Sequence, residues 1–170
     1  MTNKVYYSIA KIGDFTPVLK GDINNHCKTQ ESALAWGLLA QKHQETFGEN
    51  LGDVSFEKSG KPIIDNGFIS LSHSNGVVAV CFSKNTLTAI DIELIKQTVP
   101  TKISEFLGVK TPPDFYRKWT ERECVIKTKN YSALKKGVES EFIGFSTEIL
   151  VEKKAFYLSV YGENAEFIKV

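Results

Sequence analysis

The order of elements along this sequence predicts an α+β fold, and three observations carry that prediction. Strand-like and helical runs do not alternate regularly, so a parallel βαβ series is disfavoured. Two apolar runs, Phe68 to Ser72 and Val77 to Phe82, flank the turn signal Asn75-Gly76, as in a hairpin. Everything after Gly137 reads as strand.

Val5 to Ala10 is rich in β-branched and aromatic residues and reads as the first strand. Thr29 is an N-cap, Glu31 suits the positive end of a helix dipole, and a helix follows to about His43. Leu34, Leu38 and Gln41 share one face of it, with Ala35 and Leu39 adjoining. Val54, Phe56 and Lys58 suggest a short strand before a turn at Ser59-Gly60. Asp65-Asn66-Gly67 is a turn, and the hairpin strands come next. Ser83 to Thr86 loops, and Leu87 to Glu93 is a strand. Lys102 to Leu107 forms a short helix after Pro100. Pro113 opens a helix from Asp114 to about Thr128. The last strands are Phe142 to Phe145, Thr147 to Glu152, Ala155 to Val160 and Ala165 to Lys169, with a turn at Lys153-Lys154.

The 170 residues fit one domain, or two small halves sharing a core, without help from disulfides. A formal charge of +1 gives no field for DNA, RNA or a membrane surface, so neither nucleic acid nor membrane is expected as a partner. The apolar run at Met1 to Ala10 is too short for a signal peptide, and Val77 to Phe82 is far below a membrane span. Cys27, Cys81 and Cys124 are odd in number and lack CxxC spacing. They read as reduced thiols in the cytoplasm, without a zinc site.

Asp91 and Glu93 lie two apart on a strand, so both carboxylates face one side while Ile90 and Ile92 fill the other. Two such groups repel and are costly to dehydrate, and a divalent cation with oxygen ligands, Mg²⁺ above all, relieves both costs. A solvated strand face is the plainer reading. Glu123 and Lys127 stand four apart on one helix face, with Trp119 a turn earlier. They form either an intrahelical ion pair or a third metal ligand (or general base) with a phosphate contact. His73, between Ser72 and Ser74, is either a structural histidine or a phosphate contact. Lys61, before Pro62, is either a turn residue or a point charge for phosphate.

Read together, Gly60-Lys61-Pro62, Ser70-Leu71-Ser72-His73-Ser74, Ala89-Ile90-Asp91-Ile92-Glu93 and Lys118-Trp119-Thr120-Glu121-Arg122-Glu123-Cys124-Val125-Ile126-Lys127 resemble the 4'-phosphopantetheinyl transferase superfamily. These are the single-chain relatives of holo-acyl-carrier-protein synthase. The resemblance runs from Gly60 to Lys127. It implies a pseudo-dimer of two similar α+β halves, 1–85 with the coenzyme A motifs and 86–170 with the acidic motifs, and an active site at their junction. It implies Asp91, Glu93 and Glu123 as Mg²⁺ ligands, and Lys61, Pro62, Ser72, His73 and Lys127 as coenzyme A contacts. Glu123, Lys127 and His73 would be catalytic. The reaction implied moves the phosphopantetheine arm of coenzyme A to a serine of an apo acyl or peptidyl carrier protein. One chain suffices for such a site, so a monomer is expected.

Arg122 replaces the family's lysine, Cys124 its alanine, and Ser70 its frequent asparagine. Thr128-Lys129-Asn130-Tyr131 stands where the family has a glycine-rich turn, and the span from Glu93 to Trp119 is short. Those departures motivate an alternative: a non-catalytic relative that binds coenzyme A or a partner. A metal-dependent phosphate-ester hydrolase is a third reading. Carrier proteins tend to be acidic, so Phe106, Phe115, Tyr116, Arg117 and Lys118 are candidates for docking, unless the aromatics are core. Lys28 and Lys42 are candidates for the 3'-phosphate of coenzyme A.

Overall fold

The computed structural model describes residues 2–19, 23–128 and 141–170. The first strand, β1 (Asn3–Lys11), is followed by a short helix α1 (Ile23–His26) and a long helix α2 (Gln30–Phe47). Strands β2 (Val54–Phe56), β3 (Pro62–Ile64), β4 (Phe68–Ser74), β5 (Val77–Ser83) and β6 (Thr88–Leu94) come next. Helices α3 (Thr101–Leu107) and α4 (Pro112–Thr128) precede β7 (Gly144–Val151), β8 (Lys154–Gly162) and β9 (Ala165–Lys169). This is an α+β fold.

The strands form a four-stranded sheet in the order β4-β5-β1-β9, a three-stranded sheet in the order β6-β8-β7, and the β2-β3 pair. The same connectivity occurs twice. In β1-α2-β4-β5 the first strand pairs antiparallel with the second strand of the hairpin, and in β6-α4-β7-β8 it does so again. The last strand, β9, returns to the first sheet and lies parallel to β1.

Alternation on β5 explains the layering. Val78, Val80 and Phe82 pack with Leu34, Leu38 and Leu39 of α2. Val77, Ala79 and Cys81, on the other face, pack with Ile90 and Ile92 of β6 and with Phe156, Leu158 and Val160 of β8. Ala89 joins Cys124 and Val125 of α4 beyond the second sheet. A strand covered on both faces must be apolar throughout, and every residue of β5 is buried. On β6 the consequence is decisive: Ile90 and Ile92 point between the sheets, so Ala89, Asp91 and Glu93 point toward α4.

Thr29 caps α2 as expected, its hydroxyl accepting the Ser32 N–H at 3.0 Å. The helix runs a turn beyond His43 and stops at Gly48, whose φ of 74° suits a glycine at a helix end. Asn75 (φ 50°) and Gly76 (φ 81°) make the tight β4–β5 turn. Other expectations need correction. The runs Phe142 to Phe145 and Thr147 to Glu152 are not two strands: Gly144–Val151 is continuous, because β8 pairs with all of it. The following turn is at Glu152-Lys153, both with positive φ, one residue earlier than expected. Phe115 and Tyr116 are core residues, 4% and 6% exposed. Residues 129–131, where the family has its glycine-rich turn, and Gly137 lie outside the described residues.

Candidate active site at the seam between the two sheets

Strands β4 and β6 meet edge to edge, but their backbones do not bond each other. Three serines of β4 bridge the gap. Ser70 Oγ accepts the N–H of Ile90 at 3.2 Å, Ser72 Oγ that of Ile92 at 3.3 Å, and Ser74 Oγ that of Leu94 at 3.1 Å. The period of two on both strands produces this register: every second β4 side chain meets every second β6 amide. Two of the hydroxyls then donate onward. Ser72 donates to Asp91 Oδ1 at 2.8 Å, and Ser74 to Glu93 Oε2 at 2.9 Å.

Asp91 is 5% exposed. Its Oδ1 also accepts from Lys127 Nζ of α4 at 2.7 Å. Lys127 further donates to Ile90 O at 2.8 Å and Leu71 O at 3.4 Å, so one ammonium ties α4 to both β4 and β6. Burial alone would lower the Lys127 ammonium, but Asp91 and its other anionic neighbours hold it above the ordinary lysine range. Asp91 Oδ2 is buried and has no hydrogen-bond partner.

Glu93 and Glu123 are half-buried. Burial pushes the Glu93 carboxyl up, and repulsion from Asp91 adds to it. Burial also raises Glu123, with further contributions from Asp91 and Glu93. The i,i+4 ion pair between Glu123 and Lys127, one of the two readings of that spacing, is not formed: Lys127 turns to Asp91 instead. Isolated ion pairs on a helix contribute only about 0.3–0.5 kcal/mol. A buried carboxylate across the seam gives the ammonium a stronger partner.

The other expected contacts lie apart from these groups. His73 alternates with Ser72 and Ser74, so it faces α2 rather than β6. It is partly exposed, and its Nδ1 lies 3.1 Å from Glu31 Oε2. Glu31 also accepts the Gly76 N–H, which fastens the first turn of α2 to the β4–β5 turn. His73 and Pro62 line a cavity of about 600 Å³ that also takes in Lys28, Lys58, Trp36 and Phe56. Lys61 and Pro62 line an adjoining cavity of about 780 Å³; the two cavities share Glu57 and Pro62, and none of Asp91, Glu93 or Glu123 lines either. Of the two lysines considered for a 3'-phosphate, Lys28 is at the His73 cavity, whereas Lys42 is paired with Glu45 at 2.8 Å.

Ser72, which the resemblance implies as a coenzyme A contact, has its hydroxyl hydrogen-bonded to Asp91 and to the Ile92 amide. The roles of Ser70 and Ser74 escaped the sequence reading. The matching alternations Ser70-x-Ser72-x-Ser74 and Ile90-x-Ile92-x-Leu94 were the available signal. Of the docking candidates, Phe106 is 66% exposed, with the Arg122 guanidinium 5.0 Å from its ring centre, while Phe115 and Tyr116 are buried. Cys27, Cys81 and Cys124 are free thiols. Burial pushes Cys81 up to about 12 and Cys124 well above the ordinary thiol range, which leaves both unreactive.

A hard, small cation suits this donor set. Asp91 and Glu93 face the seam, and one buried oxygen, Asp91 Oδ2, lacks any donor among the described residues. Among the described residues, however, no group of three or more His, Cys, Asp and Glu side chains is gathered tightly enough to hold a metal ion. No helix among them is long and apolar enough to cross a membrane. No family model matches the chain, and a search of curated proteins found no match either.

Proposed function

We propose that this protein is a Mg²⁺-dependent 4'-phosphopantetheinyl transferase, which loads an apo carrier protein from coenzyme A. The observation that carries this reading is the grouping of Asp91, Glu93 and Lys127 at the β4–β6 seam, with Asp91 Oδ2 buried and unpaired and Glu123 on the same helix as Lys127. The two-fold recurrence of strand, helix and hairpin supports a pseudo-dimer whose halves meet at that seam.

Asp91, Glu93 and Glu123 would hold Mg²⁺, which when bound neutralises phosphate charge and orients the pyrophosphate. The cavity with Lys28, Lys58 and His73 offers cations, and Trp36 and Phe56 offer aromatic surface. That combination fits the phosphorylated nucleoside end of coenzyme A. Lys127 supplies positive charge where phosphate charge develops in the reaction. Glu123 would take the proton of the carrier serine hydroxyl as the serine oxygen attacks phosphorus. The new P–O bond forms on the carrier. The bond to the leaving phosphate breaks, and adenosine 3',5'-bisphosphate departs with the electron pair.

One observation favours binding without transfer: Lys127 already compensates Asp91, and the three carboxylates are not closed around one point. The unpaired Asp91 oxygen weighs more, since a purely structural pair would leave no buried acceptor empty. The test is transfer of labelled phosphopantetheine to an apo carrier by the wild type and by Asp91→Ala/Glu123→Ala. The double variant is expected to keep its circular dichroism and lose transfer. Retained turnover would remove these residues from the reaction.

A further inference from the structure

We propose that two copies of this chain join through β7, edge to edge and antiparallel, with Thr147 opposite the Thr147 of the second copy. The inference stands on the strand itself and is independent of the transferase reading. It departs from the monomer expected of the sequence. β7 is the outer strand of the sheet β6-β8-β7, and no described strand pairs with its far side. Pairing with β8 fixes what that side presents. Ile143 O accepts the Gly162 N–H at 3.0 Å, and Val151 and Lys154 close a two-residue turn. Bonding direction alternates along an antiparallel strand, so the odd-numbered residues of β7 turn their backbone groups to β8. Gly144, Ser146, Glu148 and Leu150 turn theirs outward. Among the described residues, the Glu148 carbonyl meets only the neighbouring Thr147 hydroxyl, at a long 3.3 Å.

Sheet edges are ordinarily guarded by a lysine, a proline, a bulge or shortness. On the first sheet, β9 is five residues long and carries Glu166 and Lys169. The edges of β4 and β6 meet at the serine seam. β7 has eight residues in unbroken register, with no lysine or proline. It exposes Leu150 at 74%, and Ile143 just before it at 41%. Symmetry then selects the register, because a two-fold axis through the sheet places one residue opposite its own copy. With Thr147 at the centre, Ser146 opposes the second copy's Glu148 and Gly144 opposes its Leu150, so all four outward residues are bonded. A centre at Glu148 sets two carboxylates face to face. Every other centre runs at least one outward residue past the end of the partner strand. The side chains agree: Leu150 lies over a glycine, Phe145 beside Ile149, and Ile143 beside Val151. The product is one continuous sheet, β6-β8-β7 from each copy.

The experiment is sedimentation equilibrium of the full chain over a concentration series. The proteins are wild type, Leu150→Lys, Thr147→Cys and Glu148→Cys, each checked for fold by circular dichroism. The wild type should approach twice the chain mass of 19.0 kDa. Leu150→Lys should raise the dimer dissociation constant about tenfold or more, the effect of leaving one leucine unburied. Oxidised glutathione should bridge Thr147→Cys into a covalent dimer, since an opposed pair of this kind brings Cα atoms to about 4.5 Å. Glu148→Cys should stay unbridged, because it meets its copy only on the diagonal at about 7–8 Å. Wild type treated in the same way controls for the native thiols, of which Cys27 is the accessible one. A wild type that stays monomeric at every concentration overturns the proposal. So does a dimer that survives Leu150→Lys, or one that bridges through Glu148→Cys and not through Thr147→Cys.

Discussion

Asp91 carries a charge at 5% exposure, and its two oxygens have opposite fortunes: one is saturated, the other empty. Lys127 is what makes that charge tolerable. Replacing it with methionine should leave a buried carboxylate uncompensated and cost about 3 kcal/mol of stability. Adding Asp91→Asn to the same chain should return part of the loss. Chemical denaturation of the four combinations measures the coupling, and additive losses would contradict it. At this scale the carboxylates were legible in the sequence, because alternation on a strand places Asp91 and Glu93 on one face whatever surrounds them. The partner of Lys127 was not legible. Local spacing offered Glu123, four residues away, whereas the pair that forms spans two elements and depends on burial that no local pattern encodes. The placement of Lys61 was not legible either: it lines a cavity that adjoins the His73 cavity through Pro62 and Glu57, a neighbourhood set by the fold.

At the scale of elements, α2 connects sequence to site most directly. Its N-cap Thr29 fixes where Glu31 falls, and Glu31 in turn holds both the Gly76 amide and His73. Thr29→Ala should cost about 1 kcal/mol by loss of the cap. On the transferase reading it should also weaken binding of coenzyme A, since the histidine loses its fixed partner; unchanged coenzyme A affinity in a cleanly destabilised variant would sever that link. Gly37 tests the packing of the same helix. Alanine there should gain up to about 1 kcal/mol of helix propensity. A Cβ at Gly37 would, however, lie 2.4 Å from Pro17 Cβ and 3.0 Å from its Cα, so the preceding segment must move. The clash should win, and Gly37→Ala should lower the melting temperature; a rise would show that the Pro17 segment yields freely. Caps and the Asn75-Gly76 turn were readable because their chemistry is local. Strand ends and the single strand Gly144–Val151 were not, because β8 decides how far pairing extends.

For the whole molecule, the α+β class followed from element order alone, whereas the seam that joins the two sheets rests on serine side chains in place of a backbone ladder. The seam also sets a pH dependence. Glu93 and Glu123 are raised by burial and then by like charges. A raised carboxyl stabilises the fold below its unfolded value, and that contribution is lost as pH rises through the folded one. The metal-free protein should therefore lose melting temperature from these groups as pH rises above the ordinary glutamate range. On the transferase reading Mg²⁺ would be held by the ionised carboxylates, so its stabilising effect should widen as pH rises through the same range; equal shifts at both ends would contradict that reading.

The most direct measurement is intact-protein mass spectrometry on a panel of apo carrier proteins incubated with this protein, coenzyme A and Mg²⁺, alongside a chelator control. The transferase reading predicts a mass gain of one phosphopantetheine on at least one carrier, abolished by the chelator. No gain on any carrier, from a protein that demonstrably binds coenzyme A, would contradict it.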